Sequence, residues 1–391
     1  MAAGETWLRG RGSMALALLA GLGILVVAVL LDRTTRGDGA IPPFPGSDRG
    51  ADLRSLSAGS LLVGTNYTHH SFDGCDWSGS GILASYHQTE VADEVHRHLA
   101  AMREAGIVSL RLLLWHMRDT NTQRWGVVPS RGGRLAEPYR GNLVAYLADV
   151  RRAGFSRLTI SFAPQWSNNP LRAVWEPETF GENWGFVRDV RALAERFGPD
   201  DVRYDLMNEG APSDYLEPAI RVRTTRYLQR LFSTYVDAFG AEDATISVIA
   251  PPGPWDDGNR LGNLVDLIEE SGAPLPPWFE LHLNDPPSGV THGLRHSDSV
   301  LTARGLEQPL TIGEISYDDD AVAAAVQDHL DRSARPLGEV IEWYRRAGAT
   351  CEVSPPFRAD AYLRLEPGPD EVAHPPSAPS GTAVPDGSPS R

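Results

Sequence analysis

Lysine is absent from this chain of 391 residues, so all 36 Lys-plus-Arg positions are arginine. With alanine, glycine and proline abundant, the bias reads as GC-rich coding and carries little functional weight. Basic charge is scarce as well: the net charge is −15 and the pI about 5.2, which excludes the clustered basic face a nucleic-acid binder needs. A neutral or polyhydroxylated partner fits better. Cysteine occurs twice, at Cys75 and Cys351; two buried thiols or, in an oxidising compartment, one disulfide are both open. The His-x-His pair present, His96-Arg97-His98, lies in the helical stretch EVADEVHRHLAAMREAG and not on the first strand, and His69 and His70 are adjacent, so the metal-dependent hydrolase barrel, which needs such a pair on its first strand, finds no ligands there. No metal and no cofactor is expected.

What is present suffices for a large core. The hydrophobic fraction is 41% with ten tryptophans, and 22% of residues are charged, ordinary for a globular protein. Residues 1–13 form a short N-terminal stub, expected on the cytoplasmic side. MALALLAGLGILVVAVLL, residues 14–31, is an uncharged run at the lower limit for spanning a bilayer. It lacks the small residues of a cleavage site, so an uncleaved transmembrane anchor is expected over a cleaved signal sequence. With no second such run, the rest of the chain is expected outside the membrane, as a single-pass protein, or secreted if the run is cleaved. Residues 32–58 have a spacer's Gly/Pro/polar composition, and 367–391 form a Pro/Ser/Gly-rich tail expected to be disordered. The folded domain is expected over 59–366.

Within it, apolar runs alternate with amphipathic stretches. Strands are expected at LLVGTNY (61–67), VSLRLLLW (108–115), RLTISFAP (157–164), VRYDLMN (202–208), TISVIAP (245–251), WFELHL (278–283) and PLTIGEI (309–315). Helical patterns lie between, including LGEVIEWYRRAG (337–348), and several end in glycine, a helix C-cap residue. Continuous apolar strands interleaved with helices mean buried parallel strands with crossover helices. An eighth strand near ATCEV (349–353) completes an α/β fold, the (β/α)8 TIM barrel. A doubly wound sheet would show a glycine-rich phosphate turn after its first strand, and THHSFDGCDWSGSG has no such pattern.

In a barrel of this kind the functional site lies at the C-terminal ends of the strands. YDLMNEG places Asn208-Glu209 at the end of strand 4, and LTIGEIS places Glu314 at the end of strand 7. The two carboxylates are 105 residues apart (314 minus 209), three βα units of about 35 residues each. Both point into one bowl, which is the minimum equipment for glycosidic cleavage. An Asn-Glu pair alone arises by chance about once in a chain of this length. The coincidence of both glutamates with Arg111 and His282 at other strand ends is what lifts it above chance.

YDLMNEG resembles the strand-4 motif of the clan A glycoside hydrolases, the cellulase-like superfamily of TIM-barrel glycosidases, and QPLTIGEIS resembles their strand-7 motif. The resemblance covers strands 1 to 7. It implies that Glu209 is the general acid/base and Glu314 the nucleophile of a retaining double displacement, with Asn208 on the sugar 2-hydroxyl. It implies that Arg111 holds the nucleophile ionised, since an adjacent guanidinium lowers a carboxylate's pKa and orients it. His282 matches the histidine of the family's His-x-Tyr pattern, where Asn284 replaces Tyr; Tyr317 is a candidate substitute. Gly210 stands where the family has Pro, the strand-8 Trp is missing from TCEVSPPF, and no clear eighth helix follows. Arg111 as a structural salt bridge and His282 as a core histidine stay open.

Sugar rings bind aromatic faces. Trp77, Trp115, Trp166 and Trp255 fall in or beside the βα loops, and Trp115, Trp166 and Trp255 are taken as substrate contacts. Cys75 and Cys351 become neighbours on barrel closure, where a disulfide is plausible. The expected activity is cleavage of β-glycosidic bonds in a polysaccharide or oligosaccharide; the alternative is a membrane-tethered, non-catalytic carbohydrate-binding barrel.

Overall fold

The computed structural model describes residues 61–69, 81–118, 126–174, 176–251, 258–343 and 357–366. The apolar run at 14–31, Cys75, Trp77, Trp255, Cys351 and the 349–353 segment lie outside the described residues. Among the described residues no helix is long and apolar enough to cross a membrane.

Leu62–Asn66 (β1), Ser109–Met117 (β2), Arg157–Pro164 (β3) and Asp201–Asp205 (β4) form where the sequence has short apolar runs. Phe279–Leu283 (β6) and Leu310–Ile315 (β7) do likewise, and both are buried at every position. All pairings between these strands are parallel, and the sheet runs β4, β3, β2, β1, then the last strand, β7 and β6. Beyond β4 the sheet adds Ala244–Thr245, and beyond β6 it adds Val248–Ile249. Only Ile246 and Ser247 separate those two segments, so the ends of the sheet are two halves of one strand, β5. The sheet is thereby curled into a parallel barrel. The sequence suggests a continuous β5; its break has a cause, since the Ser247 N–H donates to Asp205 Oδ1 at 2.9 Å.

The last strand corrects the sequence reading. LGEVIEW is helical by pattern, with Leu337, Val340 and Ile341 at helical spacing, but Leu337–Trp343 forms β8. It pairs with β1 from Leu62↔Glu339 to Asn66↔Trp343 and with β7 on its other side. A short apolar run fits either period, and two sheet edges needing partners decide it. The eighth strand is therefore Leu337–Trp343; the 349–353 segment lies outside the described residues.

Helices Thr89–Glu104 (α1), Tyr139–Arg152 (α2), Pro177–Phe197 (α3), Pro218–Phe239 (α4), Arg260–Ser271 (α5), Pro287–Ala303 (α6) and Asp320–Leu330 (α7) connect the strands. Local signals place their ends. Glu217 accepts from the Ala219 and Ile220 N–H groups at 3.1 Å each at the start of α4, and Gly272, at φ 76°, ends α5. Asp319 caps α7 through the Ala321 and Val322 N–H groups. Instead of a full final helix, one turn, Asp360–Leu363 (α8), is described.

Gly313 makes room in the barrel. A Cβ there would lie 2.1 Å from Glu280 Oε1 and 2.7 Å from its Cδ. Glu280 is buried and bonded in place, so it cannot swing aside. Gly313→Ala is expected to destabilise the fold by about 1–3 kcal/mol, the usual scale for overpacking, measured by urea denaturation; an unchanged midpoint would contradict this packing.

Candidate active site

Arg111, the third residue of β2, enters the barrel interior, and its side chain is fully buried. Its Nε donates to Glu280 Oε1 at 2.9 Å, and Nη1 donates to Asn66 Oδ1 at 3.1 Å and to Glu314 Oε1 at 3.0 Å. Nη2 reaches Ser161 Oγ and Asp205 Oδ2 at 3.0 Å and Asn208 Oδ1 at 2.8 Å. One guanidinium thus ties together six strands or strand ends. Burial opposes its charge, and Glu280, Glu314 and Asp205 outweigh that penalty.

Glu314 closes β7 and is almost fully buried. Both its oxygens are acceptors: Oε1 faces Arg111, while Oε2 takes Asn284 Nδ2 at 3.0 Å and Trp343 Nε1 at 3.2 Å. Trp343 ends β8, so the aromatic at the end of strand 8 is present. It precedes TCEVSPPF because the eighth strand itself lies earlier in the chain, at Leu337–Trp343. Asn284, where the family pattern has Tyr, donates to Glu314 itself. Tyr317 lies among the charges of Glu342, Asp318 and Arg358.

Glu209 is built differently. Its backbone is left-handed, at φ 53°, and its N–H donates to Ser247 Oγ at 2.7 Å, whose hydroxyl donates to Asp205 Oδ2 at 2.8 Å. The preceding Asn208 N–H donates to the Phe162 carbonyl at 2.7 Å. Its side chain is about one-third exposed, at 35%, against 6% for Glu314. Among the described residues the other non-glycine positive-φ positions are Trp166 and Asp318, at 42° and 34°. All three stand in loops that follow strands, and strain of this kind gathers at functional sites. Gly210 is explained here too. Its N–H donates to the Met207 carbonyl at 3.0 Å, a bond proline cannot make, and a Cβ would lie 2.7 Å from Met207 Cγ.

His282, on β6, sits between the carboxylates. Nδ1 lies 3.2 Å from Glu209 Oε1 and 3.5 Å from Glu314 Oε1, and Nε2 lies 3.2 Å from Arg111 Nη2 and 3.4 Å from Glu280 Oε1. Burial disfavours the imidazolium, but Glu314, then Glu209 and Glu280, outweigh burial and the Arg111 charge and push His282 up to about 10. Burial raises Glu209, yet its hydrogen bond to His282 and the His282, Arg111 and Arg260 charges leave it below the usual carboxylate range. Deeper still, burial and Glu280 push Asp205 up, whereas Arg111 and His282 hold Glu280 down against burial.

Among the described residues two groups bring three possible metal ligands within 4.8 Å of one another: Asp205, Glu280 and His282, and Glu209, His282 and Glu314. In the first, the Arg111 guanidinium already supplies the positive charge. In the second, Glu314 is engaged by three uncharged or cationic donors that an ion would have to displace. The donor set suits an arginine-organised site rather than a metal centre.

The structure brings together Glu209, Glu314, Asn208, Arg111, His282 and Asn284. Trp115, half-buried at the end of β2, packs against His69 with ring centroids 5.3 Å apart. Trp166 is 49% exposed on a short 3-10 turn after β3. Sequence reasoning missed Asn66, Ser161, Asp205, Ser247, Glu280 and Trp343. The available signal was a polar residue interrupting an apolar strand, as in RYDLMN and WFELHL.

No family model and no curated protein matches the chain. Solved structures similar to it include an exo-β-1,4-mannosidase from Opitutaceae bacterium strain TAV5, at 13% identity and TM-score 0.43 over 73% of this chain and 52% of that one. The Pseudomonas stutzeri endoglucanase Cel5A in complex with cellobiose is similar at 16% identity and TM-score 0.47 over 78% and 92%. A D-psicose 3-epimerase from Clostridium cellulolyticum H10 is similar at 12% and 0.40 over 74% and 88%. The chain spans about half the length of that mannosidase. At such low likeness these similarities carry no argument about activity, which rests on the residues above.

His282 gives this site a pH signature. Its folded pKa, about 10, lies above the unfolded value of about 6.5, so its stabilising contribution is complete below about 6.5 and is lost as pH rises through about 10. The stability difference between the wild type and His282→Gln should be constant on the acid side and shrink across that window, measured by thermal unfolding. A difference independent of pH would mean His282 stays neutral.

Proposed function

We propose that the protein is a retaining glycoside hydrolase acting on β-glycosidic bonds, with Glu314 as nucleophile and Glu209 as acid/base. The observation that carries this reading is the carboxylate pair itself. An oxygen of each lies within 4.8 Å of an oxygen of the other, so the two carboxylates face one bond, as the pair of a retaining enzyme does with carboxyl groups about 5–5.5 Å apart. Environment separates their roles: Glu314 is buried with both oxygens aimed by Arg111, Asn284 and Trp343, and Glu209 stands at the rim, where a leaving group can depart.

In the first step Glu314 Oε attacks the anomeric carbon as the glycosidic C–O bond breaks, and Glu209 delivers a proton to the departing oxygen. The His282 Nδ1–H next to Glu209 Oε1 is the proton store: its transfer makes Glu209 the acid and leaves His282 neutral. In the second step Glu209 takes a proton from water, whose oxygen attacks the anomeric carbon and releases Glu314. Asn208 Oδ1 accepts from Arg111, which leaves its amide group to donate to the sugar 2-hydroxyl. A non-catalytic sugar-binding barrel gives no account of a left-handed Glu209 with a protonated histidine against it. The apolar run at 14–31 supports membrane anchoring with the barrel outside, and hence an envelope polysaccharide as substrate.

Glu209→Ala should lower kcat/KM by about 10²–10⁴ on glycosides with poor leaving groups and much less on activated aryl β-glycosides, with azide restoring turnover as a β-glycosyl azide. Equal losses on both substrate types would remove Glu209 from the acid role.

A further inference from the structure

Glu342 is the penultimate residue of β8, and its side chain is fully buried. Oε2 accepts from the Asp318 N–H at 2.7 Å, and among the described residues Oε1 has no hydrogen-bond partner. The charges that act on its carboxyl among the described residues are of one sign. Asp318 in the loop after β7 and Asp360 in α8 both act against its ionisation, and burial, the larger effect, holds its carboxyl well above the usual carboxylate range. Tyr317 in that loop and Tyr362 in α8 also face it, Tyr362 feels Asp319 as well, and Arg358 acts on Tyr317. Among the described residues no ion pair reaches Glu342. A buried carboxyl with one N–H donor and two carboxylate neighbours is stable in its neutral form.

Its position matters because three connections run from it to the proposed nucleophile. The backbone carbonyl of Glu342 accepts from Asn66 Nδ2 at 3.3 Å, and the same amide donates to the Gly313 carbonyl, one residue before Glu314, at 3.0 Å. Asn66 Oδ1 in turn accepts from Arg111. Trp343, the next residue, donates to Glu314 Oε2. On the other side, the Glu342 side chain holds the strained turn at Asp318, whose Oδ1 accepts from the Ala361 N–H at 2.9 Å while Tyr362 Oη donates to the Ser316 carbonyl at 2.5 Å.

We propose that Glu342 is a positioning residue for Glu314: as a neutral carboxylic acid it pins the left-handed turn at Asp318 to the end of β8, seats Trp343 against the nucleophile, and by ionising sets an upper pH limit on the site. Ionised, it would face Asp318 and Asp360 with no cation among the described residues, and the end of β8 would move away. The functional half of this inference rests on the glycosidase reading; the protonation half does not.

The test compares the full-length wild type with Glu342→Gln, which keeps the shape and stays neutral, and with Glu342→Ala. The wild-type minus Glu342→Gln infrared difference spectrum at neutral pH should contain a protonated-carboxyl band. Thermal midpoints of the two should coincide near pH 4.5, with Glu342→Gln gaining as pH rises, because only the unfolded wild type releases the proton. On an aryl β-glycoside, Glu342→Gln should match wild-type kcat near neutrality and keep it into the alkaline range where the wild type falls, whereas Glu342→Ala should lose kcat at every pH. Absence of the band, with midpoints that differ equally at all pH, would overturn the neutral acid. The band with unchanged alkaline limbs would overturn the positioning role. A protein inactive on every glycoside that still shows the band and the midpoint shift would refute the glycosidase reading and leave the neutral acid standing.

Discussion

One buried guanidinium organises the interior of this barrel. Arg111 is surrounded by Asp205, Glu280 and Glu314, each within 3.0 Å, and all four side chains are buried. Such a set stabilises little in net terms, because desolvation offsets the attraction, but breaking it leaves unpaired charge inside the protein, at about 3–5 kcal/mol. The consequence is geometric. Asp205, Glu280 and Glu314 are all referred to the same cation, so the position of Glu314 follows from that of β2 rather than from a loop.

The remaining features follow from that reference point. Asp205 is held by Arg111, Ser161 and Ser247; Ser247, diverted to Asp205, breaks β5 and offers its hydroxyl to the Glu209 N–H. Glu209 is thus aimed by a chain that begins at Arg111. Gly210 completes the turn with its bond to Met207, so the glycine in YDLMNEG is a local requirement of this loop and not a weakened copy of a proline motif.

The parallel architecture was legible because seven strands are largely apolar runs of the right length, separated by helical stretches of which several end in glycine. Both glutamates were legible because strand ends carry the site and their spacing is a whole number of βα units. The eighth strand was not, since Leu337, Val340 and Ile341 satisfy helical spacing as well as burial in a sheet, and only unpaired edges on β1 and β7 choose between them. Missing that strand hid Trp343, and with it a donor to Glu314. Asp205 and Glu280 were hidden for another reason: a single charge in an apolar strand announces a buried partner without saying which, and the partner, Arg111, lies 94 and 169 residues away.

The central claim is that Glu314 is the nucleophile. It is tested most directly by incubating the protein with an activated 2-deoxy-2-fluoro-β-glycoside, which slows the second step, and mapping the trapped sugar by peptide mass spectrometry. The account predicts one sugar per chain, on the peptide carrying Glu314, formed more slowly in Arg111 variants. A sugar attached to another residue, or turnover of β-glycosides that never yields a covalent adduct, would contradict it.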